Sequence, residues 1–162
     1  MSKPLPRVSE VNRAFYEGAL KGELRLQQCE ACRKWIYFPR VACPHCLEDR
    51  LGWVTASGRG SVYSFALVHR PQHPSFNGKI PIVLAAVALA EGPVIISEIT
   101  GVDPTQVFIG MPVEAVWEQR SEEVAVVHFR PTADWRSRAS SREGRAAAFS
   151  GNPGGAGLSG ER

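Results

Sequence analysis

Four cysteines in two matched pairs set the strongest limit on what this chain can become. Cys29-Glu-Ala-Cys32 and Cys43-Pro-His-Cys46 stand ten residues apart, and the 162-residue sequence holds no other cysteine. Two residues between cysteines let one tight turn aim both sulfurs at a single point. A second such turn completes the tetrahedral set that Zn²⁺ prefers. Cysteines that merely fill core have no reason to fall into matched pairs. A thioredoxin-like redox reading needs one reactive pair at a helix start and leaves the other unexplained. Disulfides are disfavoured because the opening stretch, Met1 to Arg7, lacks the apolar segment of a secretory signal. Four thiolates close the coordination shell, so the zinc is expected to be structural. His45, inside the second pair, is expected at the surface rather than on the metal.

The chain around this centre reads as mainly β. Ser9 is the expected N-cap of a helix running to about Lys21, with Val11, Ala14, Phe15 and Ala19 on one side and Gly22 ending it. Leu24 to Gln28 and Trp35 to Phe38 are the strands expected to lead into and between the two cysteine pairs. Helix and metal module together occupy residues 9–50. From Leu51 the period becomes strand-like, and five strands are expected: Arg59 to Arg70, Pro81 to Ala90, Pro93 to Thr100, Val113 to Glu118 and Val124 to Arg130. Turn chemistry separates them. One helical turn at Asp103 to Val107, between the third and fourth strands, favours a five-stranded OB barrel over residues 51–131; a sandwich normally needs seven strands. Residues 132–162 turn to Ser, Gly, Arg and Ala and are expected to be disordered, with Trp135 and Phe149 as isolated aromatics.

Charge excludes less than its sum implies. The formal net charge is +3, but five arginines against Asp134, Glu143 and Glu161 put +2 of it after Ala133 and leave +1 in the body. Four zinc-bound thiolates take that body to about −1. Bulk charge therefore gives no polyanion-binding face. The longest near-continuous apolar run, Ile80 to Ala90, is too short to span a bilayer, and a cytoplasmic protein is expected.

Catalytic constellations are thin. The sequence has no G-x-S-x-G elbow, no P-loop and no G-x-G-x-x-G after a strand. His69, His73 and His128 have no acidic partner at a local spacing, and Glu91 and Glu98 make no close carboxylate pair. On its own the chain is not expected to be a catalyst. Binding chemistry is richer. Trp35, Tyr37, Phe38 and Trp53, with Lys34 and Arg40, can serve as core glue, as a stacking surface for single-stranded nucleic acid, or as a face and cations for an adenine nucleotide. The long connection Pro71 to Ile80, with Phe76 and Lys79, is a candidate contact loop.

Taken together these residues resemble the DUF35, or acyl-CoA-associated, zinc-ribbon/OB-fold family. The matching pieces are Phe15-Tyr16-Glu17-Gly18, the two cysteine pairs with Phe38-Pro39-Arg40, and Ser57-Gly58-Arg59-Gly60-Ser61-Val62-Tyr63-Ser64. Pro81-Ile82-Val83, Glu91-Gly92 and Ile109-Gly110-Met111-Pro112-Val113 follow, so the resemblance covers residues 9 to 131. Arg33 replaces a glycine often found after the first pair, and Ala66 stands where the family often has threonine. The resemblance implies a non-catalytic accessory subunit. Its expected ligand is coenzyme A or an acyl-CoA, and its expected partner a thiolase-like, aldolase or acyltransferase subunit, or a MaoC-like hydratase. Lys34, Arg40 and Arg70 are the expected cations for the coenzyme A phosphates, with Trp35 or Phe38 against the adenine. The rival is a single-stranded nucleic-acid module, which requires a continuous basic groove on the barrel.

Overall fold

A computed structural model of the chain describes residues 3–70 and 73–137, with only the backbone of residues 77 and 79. One helix, α1 (Arg13–Leu20), precedes eight strands. It starts later than expected. Asn12, not Ser9, is its N-cap residue and makes no side-chain cap bond. The Asn12 carboxamide faces back instead, accepting from Ser9 N at 2.7 Å and donating to Arg7 O at 3.1 Å, so the residues before Arg13 form a turn. The end is as expected: Gly22, at φ +75°, lets Glu23 N reach Gly18 O at 2.9 Å and Gly22 N reach Ala19 O at 3.1 Å.

β1 (Leu24–Cys29), β2 (Trp35–Ile36) and β3 (Leu51–Ala56) form a three-stranded antiparallel sheet in the order β2-β1-β3. β3 is not among the strands expected from sequence. Its residues are half-buried or exposed without alternation up to Ala56, so the strand-like stretch beginning at Leu51 does not separate into an element of its own. β2 stops after two residues, and a side chain takes over its pairing. Gln27, 5% exposed, donates to Arg40 O at 3.0 Å and accepts from Arg40 N at 2.8 Å, copying a ladder pair.

β4 (Arg59–Val68), β5 (Ile82–Leu89), β6 (Val94–Ile99), β7 (Pro112–Gln119) and β8 (Ala125–Pro131) close a barrel in the order β4-β5-β6-β8-β7. This is the five-stranded OB arrangement expected, with a 3-10 turn at Pro104–Gln106 between β6 and β7. A bulge between Val62 and Ser64 bends β4 so that its first residues pair with β7 while the strand as a whole pairs with β5. Closure between β6 and β8 is parallel and thin: one ladder pair, Ile99 with Phe129, helped by Ser97 Oγ donating to Val127 O at 2.6 Å and Thr100 N to Phe129 O at 2.8 Å. Gly60 is required where β4 crosses β5, since a Cβ there would lie 2.6 Å from Ala88 O.

One core runs through both halves. Phe15 and Tyr16 of α1 and Leu24 and Leu26 of β1 cluster with the barrel residues Val62, Val87, Ile95, Met111, Val113 and Phe129. A second cluster, Cys29, Ile36 and Cys43, surrounds the metal position. Residues 132–137, which open the segment expected to be disordered, follow a described turn in which Trp135 packs on Phe108 at 6.4 Å. Phe149 and the remainder of that segment lie outside the described residues. Among the described residues no helix is long and apolar enough to cross a membrane.

Candidate metal centre and the cavities beside it

β1 delivers Cys29 to the end of the ribbon sheet, and each cysteine pair folds as a tight knuckle. In the first, Arg33 N donates to Cys29 O at 3.0 Å and Cys32 N approaches Cys29 Sγ at 3.5 Å. In the second, Leu47 N donates to Cys43 O at 2.9 Å and His45 N approaches Cys43 Sγ at 3.4 Å. Arg33 and Leu47 occupy the same place in each knuckle and both have left-handed backbone, at φ +60° and +65°. That explains why a glycine suits the position now held by Arg33.

The four sulfurs lie within 4.8 Å of one another, with Cys29–Cys46 at 3.5 Å and Cys32–Cys43 at 3.6 Å. A tetrahedral zinc with Zn–S bonds of about 2.3 Å needs sulfurs about 3.8 Å apart, so the donor set fits the ion in number, softness and spacing. His45 is exposed and outside the sulfur cluster, as expected.

Beside the ribbon, where it meets the β5–β6 turn, lies an open cavity of about 680 Å³. Lys34, Trp35, Tyr37, Arg40 and His45 face it from the ribbon, and Glu91, Pro93 and Val94 from the barrel. Lys34, Trp35 and Arg40 are thus brought together. Phe38 and Arg70 do not line this cavity. Phe38 packs on Phe15 at 6.0 Å and Tyr37 at 5.6 Å, while Arg70 is exposed past the end of β4. Arg40 owes its position to the Gln27 clamp. Tyr37 is pushed up to about 12, first by burial and then by the nearby Tyr16, so it stays a neutral phenol. Trp35, Tyr37 and Trp53 also pack against the core, so these aromatics are both glue and wall. Sequence reading missed Glu91 as a wall residue: Ser57 N donates to its Oε1 at 2.6 Å, but Oε2 is buried without a partner. Its local signal is only that of a turn.

A second cavity, about 530 Å³ and mostly apolar, lies on the outer face of β5 and β6 between the loops β4–β5 and β7–β8. Val68, Ile82, Leu84, Ile96 and Val126 form its walls, with Phe76 from the candidate contact loop. Here the fold adds to the reading of His128. It has no local acidic partner, but strand register supplies two: Glu118 Oε2 at 2.9 Å from Nε2, and Glu98 Oε2 at 3.8 Å from Nδ1. Burial pushes the Glu118 carboxyl up, but hydrogen bonds from Lys3 and His128 and the charge of Arg120 outweigh it and hold the group at about 2 instead of 4.5. A carboxyl depressed in this way contributes stability that is present above 4.5 and is lost as pH falls toward about 2. Glu118 is 35% exposed, so solvent screening limits this contribution to about 1 kcal/mol. Thermal melts of the wild type and Glu118→Gln should therefore differ near neutral pH and converge across that acid window; a constant gap would contradict the assignment.

Two family models match the chain: the ChsH2 rubredoxin-like zinc ribbon domain over residues 17–52 and the ChsH2 C-terminal OB-fold domain over residues 53–118. The chain belongs to the DUF35 zinc-ribbon/OB-fold family. A DUF35 domain-containing scaffold protein of Pyrococcus furiosus is 37% identical over 118 residues, which span 72% of this chain and 81% of the relative. A probable enoyl-CoA hydratase alpha subunit of Thermomonospora curvata is 36% identical over 129 residues. That alignment spans 80% of this chain but only 40% of the hydratase subunit. Among solved structures, a chain of the Ltp2-ChsH2(DUF35) aldolase superposes with TM-score 0.71 at 35% identity, covering 78% of this chain and 98% of that one. The DUF35 resemblance stated from sequence, with ribbon and barrel in that order, is thereby established.

Proposed function

We propose that this chain is a non-catalytic accessory subunit that binds the coenzyme A part of an acyl-CoA and completes the complex of a separate catalytic subunit. That partner is a thiolase-like, aldolase or acyltransferase enzyme, or a MaoC-like hydratase, working in cytoplasmic acyl-CoA metabolism such as steroid, fatty-acid or aromatic degradation. The observation that carries the reading is the junction cavity, which Lys34 and Arg40 line together with Trp35 and Tyr37. Exposed cations beside an aromatic wall are what the phosphates and adenine of a nucleotide need. A sulfur-filled zinc has no open position, so the metal would act as scaffold and reactivity would come from the partner. This chain would contribute orientation and binding energy. Its relatives support the reading, since one is described as a hydratase alpha subunit and another is part of an aldolase.

The rival nucleic-acid reading requires a basic groove on the face where OB barrels take oligonucleotides. Among the described residues that face is lined by aliphatic side chains, and its guanidinium, Arg120, is tied to Glu118 at 3.1 Å. Titrating the zinc-loaded chain with coenzyme A, an acyl-CoA and a single-stranded oligonucleotide separates the two. Saturable coenzyme A binding with feeble, salt-sensitive oligonucleotide association is expected. Tight oligonucleotide binding without acyl-CoA binding would overturn the proposal.

A further inference from the structure

The residues before α1 are fastened at both ends. At one end the buried Asn12 carboxamide holds Ser9 N at 2.7 Å and Arg7 O at 3.1 Å, and Val8 packs against the core. Pro4 and Pro6 follow toward the other end, where each ring fixes φ and stiffens the run. There Lys3 Nζ donates to Glu118 Oε1 at 2.6 Å and lies 5.7 Å from the centre of the Phe76 ring. The Lys3 side chain is only 16% exposed, whereas a lysine without such a task stays in solvent. Residues 3–8 are therefore a strap, and one ammonium group ties its end to two elements at once: β7 through Glu118 and the β4–β5 loop through Phe76. Both ties reach the apolar cavity on the barrel face. Phe76 is one of its walls. Glu118 also accepts from Arg120 Nη2 at 3.1 Å and lies 2.9 Å from His128 Nε2, and Arg120 and His128 line the same cavity. A second ring contact of Phe76, with His73 at 6.3 Å, stays within the loop and does not hold it to the barrel.

We propose that this strap is a latch: Lys3 holds the β4–β5 loop against the barrel, and release of its ammonium group opens the apolar cavity at the Phe76 wall. The loop is a single short 3-10 helix, Pro74–Lys79, whose own hydrogen bonds are of the poorer kind, so outside contacts set how often it lifts. A partly covered ion pair and a cation–π contact are each modest, which suits a fastening that has to open. The coupling runs both ways. A guest that pushes Phe76 outward loosens the strap, and a loosened strap admits the guest more readily. Lys3 stands before residue 17, where the first matched family domain begins, so the latch belongs to this chain's own leading residues and not to the ribbon or barrel pattern. It does not depend on the acyl-CoA reading.

The test compares the zinc-loaded full chain with three variants. Lys3→Met keeps an apolar stem without the charge, Lys3→Arg keeps the cation, and Phe76→Leu removes the ring. Amide hydrogen exchange of residues 73–80, followed by mass spectrometry, should quicken about fivefold in Lys3→Met and in Phe76→Leu and stay within about twofold of wild type in Lys3→Arg. The double variant Lys3→Met with Phe76→Leu should exchange there no faster than the quicker single, because both changes undo one contact. Exchange in the ribbon should not move. Opening is read separately with the apolar dye anilinonaphthalene sulfonate, which should bind more to Lys3→Met than to wild type. Equal exchange of residues 73–80 in wild type and Lys3→Met would overturn the latch, and so would a rise spread evenly over ribbon and barrel. Faster exchange of the loop with no added dye binding would overturn the opening of the cavity.

Discussion

Stripping the metal with a strong chelator should abolish the cooperative melting of the ribbon, and Cys43→Ser should do the same. The physical reason is the poverty of the ribbon's own core. Cys29 and Cys43 are fully buried, and among the described residues Ile36 is the other buried member of the cluster beneath the sulfurs, with Cys32 and Leu51 packed against it. β2 contributes just two residues to the sheet. A structural zinc in a small module contributes about 10–16 kcal/mol of apparent binding energy, far above what such a cluster supplies. The barrel supplies most of the shared core, including Val87, Ile95, Met111 and Phe129, so its transition should persist at a lower temperature while the ribbon's is lost. Calorimetry of the same sample before and after chelation checks this, with zinc add-back restoring the first trace. Metal-free protein that melts as the loaded form does would mean that the four sulfurs are not a zinc site.

Charge reversal at both Lys34 and Arg40 should lower coenzyme A affinity by more than a hundredfold without changing the melt. Both residues are exposed, so neither reversal disturbs buried packing. Each charge-assisted hydrogen bond to a phosphate is worth about 1.5–3 kcal/mol, and two of them exceed the 2.7 kcal/mol or so that a hundredfold change represents. Calorimetric titration of Lys34→Glu with Arg40→Glu measures it. Arg70→Glu is the informative companion, because Arg70 does not line the junction cavity. A loss at Arg70 with none at Lys34 and Arg40 would move the phosphates from the junction cavity to the end of β4.

The parts of this molecule that could be read in advance are those whose signal is local. Paired cysteines declare a knuckle by spacing alone, and Gly22 declares a helix end because its φ of +75° suits only glycine well. The barrel strands announce themselves as apolar and β-branched runs bounded by turns, as Ile82–Leu89 does, while the alternation that turns Val83, Ala85 and Val87 inward shows only in the fold. What stayed hidden depends on residues far apart in the chain. Gln27 clamps Arg40 across the sheet, an arrangement fixed by strand register that no window of sequence contains. His128 looked isolated because its carboxylate neighbours are ten and thirty residues away. The junction cavity itself is a product of docking: Lys34 and Val94 become its opposite walls only when ribbon and barrel share a core. Arg33 shows the limit from the other side, since a left-handed arginine is disfavoured by about 1–2 kcal/mol and is tolerated here within a metal knuckle.

The union of β6 and β8 by a single ladder pair makes that line the thinnest stave of the barrel. Ser97, Glu98, Val127 and His128 flank it, and the same residues line the apolar cavity on the barrel face. Breathing of the barrel should begin along this line, so the wall of that cavity can part by small amounts while the ribbon and its thiolates stay still.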